Sequence, residues 1–304
     1  MRIPLLLNIA KSRGDHKIPM QHFYSMAGIS RQGFFQALHR ANEERAHWES
    51  LPELVQAYRG KKDARAGSLS LFYNLKIKSL FEVGINKFQQ KMREMELTLP
   101  ALKTRIITTR SVIHSLEYSN LVNGLILTGI NQLVVGDITY IRQGGRWTYL
   151  ICLTDVYSSR IVGWNYGETM FSRDAYNCVI QWVELRGAKA IHSCIHHSDG
   201  GGQYFSNLYL GRIKDLEVRM SRAENCLQNG HAEQINGLIK HHFIPIVKGS
   251  TVPKIRGELK RLIHVYNSER KQERLLWKSP VEYEQYLASG NSGQPLELHN
   301  FEPK

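Results

Sequence analysis

The chain has 304 residues, a formal net charge of +13 and a hydrophobic content of 42%. That is enough for two or three domains of about 100–150 residues, each with a buried core. No apolar run approaches the roughly 18 residues a membrane span needs, and the charge points to a polyanionic partner.

The opening residues 1–10 have a short apolar stretch, interrupted by Pro4 and Asn8 and followed by Lys11 and Arg13. No small-residue cleavage site follows, so a cytoplasmic start is expected rather than a signal peptide. Residues 1–130 hold 19 Lys and Arg against 10 Asp and Glu, whereas residues 131–304 hold 21 against 17. The basic excess is concentrated at the front, as in a nucleic-acid-binding segment, although charge alone does not separate DNA from RNA. Cys152, Cys178, Cys194 and Cys226 are widely spaced, with no C-x-x-C pair. Reduced core thiols are expected, not a zinc site.

In chain order, residues 21–26 and 31–44 read as two helices joined by a tight turn at Ala27, Gly28, Ile29 and Ser30. Ser30 is a cap, and Phe34, Phe35 and Leu38 recur at helical spacing. This is a helix-turn-helix pattern, with Arg31 and Gln32 at the end of the second helix that would meet bases; an ordinary helical hairpin reads the same way. A second unit is expected at 68–77 and 87–97, with Gly84 in the turn and Lys87, Lys91 and Arg93 on its second helix. The stretch 59–67 between the units reads as a solvated linker, with a phosphate-contacting loop as the alternative. Lys103, Arg105 and Arg110 mark a basic connector.

From residue 131 the period changes. Strands are expected at 133–141, 147–154 and 160–166, a meander with Gly144 and Gly145 in its first turn. A helix at 172–185, a strand at 191–198, a helix at 207–214 and a short strand at 217–221 follow. Next comes a helix carrying Glu233, then helices at 252–266 and 281–287. The layout is α/β.

Three acids sit in three kinds of local structure. Asp137 lies within an apolar strand, where a lone carboxylate costs several kcal/mol unless a cation meets it. Asp199 opens a glycine turn after His196, His197 and Ser198. Glu233 is near the start of a helix on whose polar face Asn229, Asn236, Gly237 and Lys240 also fall, with Ile235, Leu238 and Ile239 toward the core. Converging, the three would form an oxygen cage for a divalent metal, with Lys240 set to meet a phosphate. Taken singly, each has a plainer reading: a helix-dipole partner for Glu233, a turn former for Asp199. Asp155 ends a strand but precedes a hairpin turn and reads as structural. His196 and His197 read as turn-orienting or packing residues.

Residues 131–287 resemble the catalytic core of DDE transposases and retroviral-type integrases. The closer likeness is to the second-frame (OrfB) transposase of the IS-three family of insertion sequences. The likeness rests on Asp137-Ile138-Thr139-Tyr140-Ile141, on the hairpin from Asp155 to Trp164, and on His196-His197-Ser198-Asp199 with Gly201, Gln203 and Tyr204. It continues through Met220-Ser221-Arg222, Asn225-Cys226, Asn229, Ala232-Glu233, Tyr266-Asn267, Arg270 and Ser279-Pro280-Val281-Glu282-Tyr283. At the front, Ala27-Gly28-Ile29-Ser30-Arg31 with Phe34-Phe35 is similar to that family's opening helix-turn-helix. Gly200, Gly202, Leu227-Gln228 and Lys271-Gln272 depart from its pattern.

The resemblance implies an RNase H-like core, a mixed five-stranded sheet with flanking helices, preceded by small helix-turn-helix domains. The expected division is 1–60 and 61–130 for the helix-turn-helix segments and basic connector, 131–250 for the core and 251–304 for C-terminal helices and tail. The implied function is metal-dependent DNA cleavage and strand transfer at insertion-sequence ends. Asp137, Asp199 and Glu233 would hold two Mg²⁺ ions, with Mn²⁺ as a substitute, and Arg31, Gln32, Lys87, Lys91 and Lys240 would contact DNA. Implied partners are double-stranded element ends and target, further copies of the chain, and an upstream-frame OrfA product or fusion. A bacterial cytoplasmic, nucleoid-associated location follows. The alternatives are a resolvase-type nuclease of the same fold that only hydrolyses, and an inactive DNA-binding relative. The end sequences recognised and the target preference are not legible.

Overall fold

The computed structural model describes residues 20–102, 118–143, 145–199, 201–223, 229–247 and 251–298. The basic connector lies outside the described residues, as do Cys226, Gly200, Asn225 and Leu227-Gln228.

Five strands make one mixed sheet in the order β4–β3–β2–β5–β6. β2 (Leu133–Gln143), β3 (Arg146–Asp155) and β4 (Ile161–Gly167) form the expected antiparallel meander. β5 (Ile195–Ser198) adds parallel to β2, and β6 (Arg219–Arg222) parallel to β5. This is the RNase H-like, α/β arrangement expected from the sequence. The strand alternation serves two cores. On one face Val134, Ile151, Leu153 and Val162 pack against α7 (Ser172–Arg186) and α8 (Asn207–Asp215) through Cys178, Val179, Trp182, Tyr209 and Ile213. On the other, Ile141, Leu150, Cys152 and Tyr166 meet Ile235 of α9 (Gly230–Leu238) and Leu259, Leu262 and Tyr266 of α10 (Val252–Ser268). α11 (Pro280–Ala288) closes a further cluster, its Tyr283 packing with Leu133 and Val135. A short ribbon pairs β1 (Ile126–Leu127) with β7 (Leu296–Glu297); neither strand was legible, being two residues long.

Cys152, Cys178 and Cys194 are buried free thiols, and burial pushes each thiol upward. Among the described residues, no helix is long and apolar enough to cross a membrane.

The front is helical. α1 (Met20–Ala27) and α2 (Arg31–His47) form the predicted pair, and Ser30 caps α2 by accepting from Gly33 N at 3.0 Å. An additional helix, α3 (Leu51–Lys61), lies between the expected units; Pro52 and Glu53 in its first turn are start signals. The helix expected at 68–77 ends early, as α4 (Ser68–Asn74), and after Lys76, whose φ is 53°, a further short helix not expected from the sequence, α5 (Ile77–Phe81), follows. That turn lets Ile77 and Phe81 enter the same core as Leu71 and Phe72, with Phe88 and Met92 of α6 (Ile85–Glu94).

The stretch 59–67 is not a solvated linker. Arg59 donates to Ala66 O and Leu97 O. Asp63 is buried, with His242 Nδ1 at 2.6 Å and Arg270 Nε at 3.2 Å. Its local charge suggested solvent because both partners lie far downstream in the chain.

Candidate active site

Register brings the first two acids together. Gly136 pairs with Ser198, the last rung between β2 and β5. Asp137 and Asp199 are therefore the next residues on neighbouring parallel strands, at the carboxyl end of β5. A side chain at Gly136 would stand 3.0 Å from His196 and Leu153 and 3.2 Å from Tyr204. Glycine there lets these rings close under the strand. Asp199 Oδ1 accepts from Gly201 N at 3.1 Å, and a Cβ on Gly201 would stand 3.0 Å from that oxygen.

Glu233 arrives on α9, which is bound to β2 by two asparagines. Asn229, the residue before the helix, donates to Gly136 O at 3.1 Å. Asn236 donates to Asp137 Oδ2 at 2.7 Å. The two are seven residues apart, two turns, and Glu233 lies on the stripe between them. Asn229 and Asn236 are only 3% and 4% exposed. The polar face of the helix is thus pressed against β2 at Asn229 and Asn236, and the seven-residue spacing around Glu233 was the signal for it. Glu233 itself is exposed.

The three carboxyls share one electrostatic environment. Burial, then the charge of Asp199, pushes Asp137 up to about 7, against the bond from Asn236. Burial raises Asp199, offset by the Gly201 N–H and by Arg222. Partial burial and the charge of Asp199 raise Glu233. Among the described residues, no three His, Cys, Asp or Glu side chains are gathered closely enough to hold a metal ion in this arrangement. The donor chemistry nevertheless fits one: hard oxygens on three adjacent elements, each raised by burial and coupled through Asp199, a repulsion that a divalent cation relieves.

The neighbouring candidates separate cleanly. His196 is in the core, Nδ1 3.1 Å from Val134 O and Nε2 2.7 Å from the Tyr209 hydroxyl. Burial pushes it down to about 4, so it is a neutral packing group. His197 Nδ1 lies 2.8 Å from Ser221 Oγ. Asp155 is fully buried and accepts from Asn131 N at 2.7 Å and Ser158 N at 3.0 Å, with Ser158 Oγ at 3.1 Å and Arg186 at 4.0 Å. It organises the hairpin, as expected. Glu284, not singled out in the sequence, pairs with Arg160 and Arg186 and accepts from Ser158 Oγ at 2.7 Å, fastening α11 to that hairpin.

Lys240 is exposed on a π-helical turn (Ile239–Phe243) that follows α9, and among the described residues it makes no ion pair with the carboxylates. Arg31 and Gln32 are exposed at the start of α2, with the Arg31 guanidinium 5.8 Å from the Phe35 ring centroid. Lys87 lies 3.1 Å from Glu44, and Lys91 3.0 Å from Glu44 and 2.7 Å from Glu94. These two lysines hold α6 against α2.

The integrase core domain family matches residues 128–226. The transposase for insertion sequence element IS904 of Lactococcus lactis is 30% identical over 176 residues, 57% of this chain and 69% of that protein. The transposase for IS629 of Shigella sonnei is 34% identical over 53% of this chain and 55% of its own length. The insertion element IS600 uncharacterized 31 kDa protein, also of Shigella sonnei, is 26% identical over 84% of this chain and 95% of that protein. Among solved structures, the HTLV-2 integrase catalytic core domain in complex with magnesium aligns at a TM-score of 0.41 and 14% identity, over 54% of this chain and 99% of that one.

Proposed function

Since the chain belongs to the insertion-sequence transposases that carry an integrase core domain, and so is a polynucleotidyl transferase acting on DNA, we propose that Asp137, Asp199 and Glu233 are its catalytic carboxylates. The observation that carries this reading is their placement on three adjacent elements: Asp137 and Asp199 follow the last paired rung of β2 and β5, and the helix of Glu233 is bound to β2 through Asn229 and through Asn236, which bonds Asp137 at 2.7 Å.

Cleaving an element end and joining its 3′-hydroxyl to target are both in-line displacements at phosphorus. Asp137 would serve two Mg²⁺ ions, or Mn²⁺ in their place, with Asp199 and Glu233 each serving one. Bound there, the ions supply charge neutralisation at phosphate and activation of the attacking oxygen. The chain's own part is to orient Asp137 and favour its ionised form through Asn236, to fix Asp199 through the Gly201 N–H, and to carry Glu233 on a helix pinned to β2. A covalent protein–DNA intermediate is not required.

The division of labour follows the chain. Residues 1–60 and 61–130 read and hold double-stranded DNA, with Arg31 and Gln32 at the base-facing end and Lys240 near the scissile phosphate. Lys87 and Lys91 would reach phosphate only by sharing their charge with Glu44 and Glu94. Residues 131–250 carry the chemistry and 251–304 brace it. One catalytic core serves one strand, so two element ends need at least two copies. An OrfA-type partner would add to end recognition.

The test is direct. Asp137→Asn, Asp199→Asn and Glu233→Gln should each abolish Mg²⁺- or Mn²⁺-dependent cleavage and strand transfer on end DNA while binding persists. Near-normal cleavage by any one of them removes that residue from the set. Cleavage without any joined product would favour a hydrolytic nuclease.

A further inference from the structure

The β2–β3 hairpin runs on alone past the candidate site. β2 pairs with β5 only as far as Gly136–Ser198, but with β3 as far as Gln143–Arg146. On the face that α7 covers near the core, the cross-strand pairs run outward as Ile138–Ile151, Tyr140–Tyr149 and Arg142–Trp147. The first pair belongs to the core. Beyond it the cover ends: Tyr140 is 50% exposed and Trp147 55%. Phe171, just before α7, is 69% exposed, and the Tyr140 hydroxyl reaches Met170 Sδ at 3.5 Å. The opposite face of the same hairpin is packed, Thr148 donating to Ile141 O at 3.0 Å and accepting from the Tyr166 hydroxyl at 2.9 Å. Bareness therefore belongs to one face only.

That face is aromatic and cationic. The Arg142 guanidinium lies 5.8 Å from the Trp147 ring centroid, and among the described residues it makes no ion pair. Arg146 at the tip lies 3.6 Å from Glu168. Resting on the transposase reading, we propose that this hairpin face binds unpaired nucleotides of the DNA substrate next to the phosphate engaged at Asp137. Exposed rings stack on base faces, which a closed duplex hides, while arginine meets the backbone. Tyr140 is three residues from Asp137 on the same strand, about 10 Å along it. The two side chains leave β2 on opposite faces, so a DNA strand held at both passes the edge of β2 that β5 does not pair beyond Ser198. Two copies of the face would bring the Arg142 charge of each together, which disfavours self-association.

The full-length chain is titrated, without divalent metal, with a plain duplex oligonucleotide and with the same duplex bearing a short oligothymidine flap. Tyr140→Ala and Trp147→Ala should each weaken binding of the flapped duplex by about tenfold and of the plain duplex by less than about twofold. Trp147→Phe should retain flap preference, and Asp137→Asn should retain it while losing cleavage, which separates this proposal from the catalytic one. Equal losses on both probes, or no loss on the flapped one, would overturn the proposal. A change in sedimentation of the DNA-free Trp147→Ala chain would overturn it too, marking the face as a contact between copies.

Discussion

Asn236 opposes the burial that raises the first carboxyl of the site. Its amide bonds Asp137 and lowers that carboxyl against burial and the Asp199 charge, leaving it at about 7 rather than the ordinary 3.8. A carboxyl raised on folding makes the native state bind more protons than the unfolded chain. The metal-free protein should therefore lose stability as pH rises from about 4 to about 7, and Mg²⁺ should restore it above that range. Melting temperatures across pH, with and without Mg²⁺, test the sign; a metal-free protein that grows more stable through this window through Asp137 would refute it, and Asp137→Asn should flatten that contribution. Asn236→Ala should raise Asp137 further and weaken Mg²⁺ affinity at neutral pH roughly tenfold, seen as a higher Mg²⁺ requirement for cleavage; an unchanged requirement would show the bond to be incidental. Singly the acids are weak signals, Asp199 before its glycines being an ordinary turn former; what made them legible as candidates was their order along the chain, with Asp137 set in an apolar strand. Asn236 was visible only as part of a helix stripe, since a hydrogen bond to a residue 99 positions away leaves no local trace.

At the scale of elements, the strand meander was legible from period-two alternation, and α2 from its cap Ser30, which accepts a backbone bond; Ser206 and Ser279 cap α8 and α11 in the same way. What the sequence hid were breaks set by packing. The Lys76 turn exists because Ile77 and Phe81 must enter a core already holding Leu71 and Phe72, and the strand expected from 191 begins only at Ile195 because residues 188–191 form a 3₁₀ turn. Glycine at close approaches is a third hidden term. A Cβ at Gly163 on β4 would stand 2.2 Å from the backbone oxygen of Cys178 on α7. Neither main chain can yield there without parting helix from sheet. Gly163→Ala should destabilise the core by several kcal/mol, above the roughly 1–3 kcal/mol of ordinary overpacking. At Gly136 the obstructing atoms are side chains at 3.0–3.2 Å, so Gly136→Ala should fall within that ordinary range. Equilibrium denaturation of both variants checks the order; a Gly136 variant as damaged as the Gly163 one would contradict it.

Across the whole molecule, a buried acid lies at the centre of the contacts that fix the front helices to the core. Asp63, two residues past the end of α3, meets His242 on the π-turn after the Glu233 helix and Arg270 after α10. Around it Ala64 N donates to His242 O at 3.0 Å, Arg261 donates to Lys61 O at 3.0 Å, and Tyr73 stacks on Trp277 with centroids 3.6 Å apart. Burial pushes the Asp63 carboxyl up, but the His242 bond and the Arg270 charge outweigh it and hold the group below its ordinary value of 3.8. The sign is opposite to that at Asp137: a depressed carboxyl stabilises the fold above 3.8, and the contribution is lost as pH falls through the lower native value. Asp63→Ala leaves Arg270 and His242 without this partner, and should cost about 3 kcal/mol. Because the lost contacts join front to core, the effect should be to uncouple them. Two thermal transitions should replace one, and limited proteolysis should cut near residues 59–67. DNA binding by the front helices should persist with its salt dependence, since Arg31 and Gln32 lie far along the chain from this joint. Cleavage should fall more than binding, because His242 sits on the turn that continues the helix carrying Glu233. If Asp63→Ala lowers binding and cleavage in equal proportion while a single sharp transition remains, Asp63 merely stabilises one cooperative unit and does not set the front against the active site.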